Sequence, residues 1–177
     1  MSWKSSPAAY GRVAIALHWS IAILLVVAVA SGFATDAFGA SGHGPLRVHA
    51  ICGISAGVLT IVRIIWWLVA DTKPEEVANT PAWQSLAAKA VHLLLTLIPL
   101  GMAASGIGMF ALSGAADALL SGGQLPLPDF DGLAPRRPHG LGARALIALV
   151  VLHVAAALYH HYALNDGLLR RMWAKRG

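Results

Sequence analysis

An all-α integral membrane four-helix bundle is the fold class this sequence predicts, on three observations. Of 177 residues, 57% are hydrophobic and only 12% charged, with a mean hydropathy of +0.66, whereas soluble domains carry about 25% charged residues. Four apolar stretches reach the ~20 residues that a crossing helix needs. All eight acidic residues fall outside those stretches or at their edges. No segment remains for a separate soluble core, so residues 1–177 read as one domain.

The first span, at about 13–34, follows Lys4 and Arg12 and resembles a signal peptide in its basic start and later small residues. A signal core runs ~7–15 apolar residues and this one exceeds twenty, so it reads as an uncleaved anchor. A short glycine-rich loop, 35–47, leads to the second span at about 48–70, which holds the lone Cys52. A single cysteine has no intramolecular disulfide partner, so redox compartment is not legible from it. A polar link with Pro74 and Pro81 is an ordinary connector to the third span, about 86–112. The loop 113–138 is long and rich in glycine and proline, and a loop of that length commonly covers a surface. The fourth span covers about 141–164.

Orientation follows the basic residues. Lys4, Arg12, Arg63, Lys73, Lys89, Arg170, Arg171, Lys175 and Arg176 are nine of the thirteen Lys and Arg, and topology places all nine on one side. That side is predicted to be cytoplasmic, with both termini inside. The net charge of +5 then serves mainly to anchor the chain in a lipid surface, which gives a nucleic-acid partner little support.

With the topology set, each histidine acquires a depth. His139 and His153 are fourteen residues apart, almost four helical turns, so both face one way and lie roughly 21 Å apart along the axis. His49 matches His139 at the outer level, and His18 matches His153 at the inner level. Imidazole in lipid is costly, which makes each such position a functional candidate. Two stacked bis-imidazole pairs in an apolar bundle suit two b-type haems, whose iron takes one axial nitrogen from each face. Gly53, Gly140, Gly142, Ala155 and Ala156 lie beside these histidines and leave room for a ring. A membrane histidine also serves as a plain interhelical hydrogen-bonding group, and imidazole suits zinc or copper in a transporter. A transport path calls for carboxylates inside the membrane, and this chain has none there.

Arg63 stands fourteen residues after His49 on the same stripe. Two readings stand for it: neutralising an inner haem propionate, or snorkelling from a helix end. His160 continues the His153 stripe to the inner interface, where it suits hydrogen bonding to a quinone carbonyl and relay of the accompanying proton. His161 reads as interfacial and His43 as a solvated loop residue. His92 reads as a polar interface residue, with an alternative role as inner ligand.

The runs Arg12-Val-Ala-Ile-Ala-Leu-His18-Trp19 and Arg47-Val-His49-Ala-Ile-Cys-Gly53, continuing to Arg63, then His139, His153 and His160-His161-Tyr162, resemble the bacterial cytochrome b561 family over nearly the whole chain. The resemblance implies di-haem cytochromes of the bacterial inner membrane in which the positions of His18, His49, His139 and His153 are axial haem ligands. It further implies superoxide oxidation at the periplasmic face and ubiquinone reduction near the cytoplasm. His160, Arg12 and Trp19 match the quinone end, and Arg47, Arg136 and Arg137 are candidates for steering an anion to the outer haem, or for ordinary headgroup contact. Another periplasmic donor in place of superoxide, or a role as the membrane electron-transfer subunit of a partner dehydrogenase or small redox protein, is also compatible with this sequence. Two departures from the family pattern are His92, where a tyrosine is common, and the composition of the loop before His139.

Overall fold

The computed structural model describes residues 2–77 and 80–173, and among these it contains helices and turns with no strand. Helix α1 is Arg12–Phe38, α2 His43–Val69, α3 Ala82–Ser113, α4 Ala115–Leu120 and α5 Arg136–Tyr162, with 3₁₀ turns at Gly39–Ser41 and Leu169–Met172. Helices α1, α2, α3 and α5 are each long and apolar enough to cross a membrane.

The crossing helices begin earlier than hydropathy suggests. Helix α2 starts at His43 and α5 at Arg136, because backbone hydrogen bonding continues through polar residues that an apolar-run criterion leaves out. His49 therefore lies nearly two turns inside α2, whereas His139 is in the first turn of α5. Pro45 and Pro138 sit in first turns, where their missing N–H would have no helical partner in any case. Gly114, at φ 71°, takes the left-handed conformation that ends α3 and starts α4.

Helices α1 and α2 pack closely, as do α3 and α5, and α2 against α3 joins the two pairs. Small residues set these approaches. A Cβ on Gly57 would stand 2.8 Å from the Ala103 Cβ across α2 and α3, and one on Gly142 would stand 2.9 Å from the Met102 Cγ across α3 and α5. Gly142 thus seats a helix contact, whereas Gly53 and Gly140 do face open space. Close packing of small residues is a main source of helix attachment where lipid cancels the hydrophobic drive. Outward faces carry exposed Ile23, Val58, Leu68, Val69 and Val151, as expected where the solvent is hydrocarbon.

Both ends of the bundle are capped. At the inner end the Asp71 carboxylate accepts from the Ser5 amide (2.9 Å), Ser5 Oγ (2.8 Å), Trp66 Nε1 (3.1 Å) and the Thr72 amide (2.9 Å). Arg171 donates to the Glu75 carbonyl, and the Tyr10 amide to that of Arg171, so the N-terminal strap, the α2–α3 link and the C-terminal turn form one layer. Lys175 and Arg176 lie outside the described residues. At the outer end the loop 113–138 folds into α4 and a small core of Leu46, Ala118, Leu119 and Leu127 with Phe110 and Phe130. His43 belongs to this cap and not to a solvated loop: its Nε2 donates to the Leu125 carbonyl at 2.7 Å.

Candidate haem sites

The four long helices repeat one spacing. Fourteen residues separate His18 from Gly32 on α1, His49 from Arg63 on α2, His92 from Gly106 on α3 and His139 from His153 on α5. The outer layer accordingly contains His49, His139, Gly32 and Gly106, and the inner layer His18, His92, His153 and Arg63. Each layer draws one residue from each helix.

In the outer layer the ring centres of His49 and His139 are 5.8 Å apart with planes at 68°. His49 Nδ1 donates to the Ala28 carbonyl of α1 at 2.7 Å. His139 Nδ1 bonds to the Met102 carbonyl of α3 at 3.1 Å and lies 3.0 Å from Ser105 Oγ. Carbonyl oxygens only accept, so each ring is set with its proton on Nδ1 and a bare Nε2. Holding the second ring nitrogen of a histidine in this way orients the first toward a metal. The glycines make the fit possible: a Cβ on Gly32 would stand 2.9 Å from His49 Nδ1, and one on Gly106 3.5 Å from His139 Cε1.

In the inner layer His18 and His153 have ring centres 6.3 Å apart at 60°. Metal–imidazole bonds of about 2 Å on both sides, with about 1 Å from each nitrogen to its ring centre, call for a separation of about 6 Å, so both pairs fit an iron held between them. His92 lies 5.2 Å from His153. The structure thus brings His92 into the inner cluster, nearer to His153 than His18 is, and at a spacing tighter than a shared metal requires. Among the described residues, no group of three or more His, Cys, Asp or Glu side chains is arranged to hold a metal ion. The donor set is one of pairs, which suits a planar macrocycle that supplies the four in-plane nitrogens itself.

Arg63 is partly buried and lies within electrostatic reach of His18, His92 and His153. Among the described residues no carboxylate pairs with it. Its charge also acts on Tyr10, whose hydroxyl burial nonetheless holds above the usual range. Trp19 packs edge-on against His18 at 5.4 Å, and its Nε1 donates to the Met172 carbonyl at 3.2 Å beside the ring of Trp173. Arg12 is exposed at the inner start of α1. His160 ends α5 with its Nδ1 engaged by Asp166. The outer arginines differ in freedom. Arg47 donates to the Leu119 carbonyl at 2.6 Å, Arg136 pairs with Asp36 at 3.3 Å and Asp131 at 3.4 Å, and Arg137 is exposed.

Sequence reasoning passed over Gly32 and Gly106 and set His92 at an interface. All three share the fourteen-residue spacing with the other five positions, which marks their level in the bundle but not which neighbouring side chain they meet. Asp166 carried no such periodic mark.

Four helices able to cross a membrane, around two facing pairs of imidazoles, are the arrangement of a membrane cytochrome. The chain belongs to the prokaryotic cytochrome b561 family, whose model matches residues 9–175; this membership makes it a bacterial membrane electron-transfer protein and implies b-type haem. It is 30% identical over 174 residues to "Cytochrome b561 homolog 1" of Escherichia coli K12, covering 94% of this chain and 98% of the relative. It is 32% identical over 178 residues to "Cytochrome b562" of Cereibacter sphaeroides, covering 94% and 96%. To "Probable superoxide oxidase CybB" of Yersinia pestis it is 29% identical over 176 residues, covering 94% and 97%.

Proposed function

We propose that this protein is a di-haem oxidoreductase of the bacterial inner membrane, with both termini cytoplasmic, that takes electrons from superoxide at its periplasmic face and reduces ubiquinone near its cytoplasmic face. The observation that carries this reading is the stack of two imidazole pairs, 5.8 Å and 6.3 Å across, at the two levels of one bundle. His49 and His139 would hold the outer haem through their imidazoles, and His18 and His153 the inner one. Bound haem b supplies a centre that gains and loses one electron at a time.

The residues of the chain do the rest. Ala28, Met102 and Ser105 hold the outer imidazoles in the tautomer that leaves Nε2 free. Arg63, close to the inner histidines, gives the inner layer a positive charge that suits the propionates of a haem. Arg137, at the positive end of the α5 dipole, attracts an anionic donor; Arg47 and Arg136 contribute a field already partly offset by their own partners. His160, Arg12 and Trp19 form the quinone end. Two superoxide ions become two dioxygen molecules as one ubiquinone takes up two electrons and two protons. Similarity along almost the full length of a probable superoxide oxidase supports the choice of donor.

A pyridine haemochrome assay on the purified protein is expected to give two haems b per chain, and His49→Ala is expected to remove one while sparing the other. Enzymatically generated superoxide should reduce a soluble ubiquinone above the uncatalysed rate. A protein with two haems and no such activity, but with a tightly bound dehydrogenase or small redox protein, would instead be an electron-transfer subunit.

A further inference from the structure

Beyond the inner haem layer, the chain turns back sharply after α5. Asn165 at φ 51° and Gly167 at φ 74° are both left-handed and flank Asp166, and Asn is among the few side chains that adopt this conformation readily. The bend carries the Asp166 carboxylate back onto the last turn of α5. There Oδ2 accepts from His160 Nδ1, Oδ1 accepts from the Leu168 amide at 2.9 Å, and the Asp166 amide reaches the His160 carbonyl at 3.4 Å. The two side chains are only 20% and 13% exposed, with Tyr159 edge-on to the imidazole at 6.2 Å. A surface ion pair would contribute little and require no such bend.

We propose that Asp166 is a positioning residue that makes His160 the proton donor to the quinone. The proposal rests on the reading that a quinone is reduced at this end of the molecule. A carboxylate only accepts, so it sets the His160 proton on Nδ1 and leaves Nε2 as the atom that exchanges a proton. Burial works against the Asp166 carboxylate, but the bonds from His160 and the Leu168 amide and the nearby charge of Arg171 keep its pKa below the usual range, so it stays ionised for this task. In the full reaction the quinone takes two electrons, one from each of two superoxide ions that leave as dioxygen, and two protons. His160 gives one proton from Nε2 to a carbonyl oxygen, the N–H bond breaking as the O–H bond forms, and regains it from cytoplasmic water, which also supplies the second proton.

The test uses the haem-loaded protein and a short-chain ubiquinol, following haem reduction by stopped flow, in which His160 accepts the proton. Asp166→Asn and His160→Gln are each expected to lower the saturating rate by about 10²-fold with little change in half-saturating quinol and unchanged haem content, and the double variant to be no slower than His160→Gln. Such non-additivity marks two residues acting as one unit; a structural bond at a helix end would leave the rate unchanged or produce independent losses, and either result overturns the proposal. If Asp166→Asn loses haem, Asp166→Glu carries the test, with a rate expected above that of His160→Gln and a rate no higher counting against. Failure of the wild-type protein to accept electrons from ubiquinol overturns the quinone reading itself, whatever the variants do.

Discussion

Gly32 shows how one missing methyl group can set the approach of a histidine ring to a neighbouring helix. The His49 ring lies so close to α1 that a Cβ at position 32 would stand 2.9 Å from Nδ1, the atom that bonds the Ala28 carbonyl. Gly32→Ala must therefore either tilt the imidazole or stretch that bond, and with a haem proposed at each level it is expected to weaken or remove the outer one while leaving the inner. Gly106→Ala meets His139 at an ordinary 3.5 Å and is expected to keep both. Low-spin haem signals and haem stoichiometry of the two variants check this contrast; equal behaviour would show that the approach of α1 is not what orients His49. His49, His139, His18 and His153 were legible as candidates because depth and helical phase are local properties of a sequence. The closeness of His92 to His153 was not legible, since it depends on how α3 turns against α5.

At the scale of elements, the strap that leads into α1 is held to the inner end of α2 through Asp71. One carboxylate collects donors from the N-terminal strap, the end of α2 and the following link. Burial alone would raise its pKa, but the bonds from Ser5, Trp66 and Thr72 outweigh that and depress it. A depressed folded-state pKa means stability that is fully present above the ordinary carboxylate value of about 4 and is lost as pH falls through the folded value. Asp71→Asn turns one acceptor into a donor facing donors, at a cost of about 1–3 kcal/mol. It is expected to lower Tm in detergent at neutral pH and to flatten the loss of stability expected of the wild-type protein below about pH 4. Of these partners, only Thr72 and Trp66 are near Asp71 in sequence; Ser5 is 66 residues away, a distance that no local pattern spans.

For the whole molecule, charge and length divide the labour between the two faces. The inner face holds most of the cations and a knitted cap. The outer face presents α4, a small apolar core and an exposed Arg137 above the His49–His139 pair. If superoxide is the donor, its encounter rate should fall with ionic strength, since exposed charges more than about 8 Å apart are largely screened at physiological salt. Arg137→Glu is expected to lower kcat/KM for superoxide several-fold at low salt and to remove most of its salt dependence, with haem content unchanged. A rate indifferent to both changes would assign Arg137 to headgroup contact.

By itself the sequence determined the all-helical membrane bundle, the number and order of its spans and the two-level arrangement of histidines. Each of these follows from hydropathy and helical repeat, which act over neighbouring residues. Tertiary structure alone decided which backbone carbonyls hold the outer imidazoles and which glycines admit them. It also set His92 against His153 in the inner layer, and brought Asp166 back onto His160 through a turn with two left-handed residues. These features arise where separate helices and loops meet, and there the relative rotation of packed helices and the path of the chain set the contacts, independently of any spacing along it.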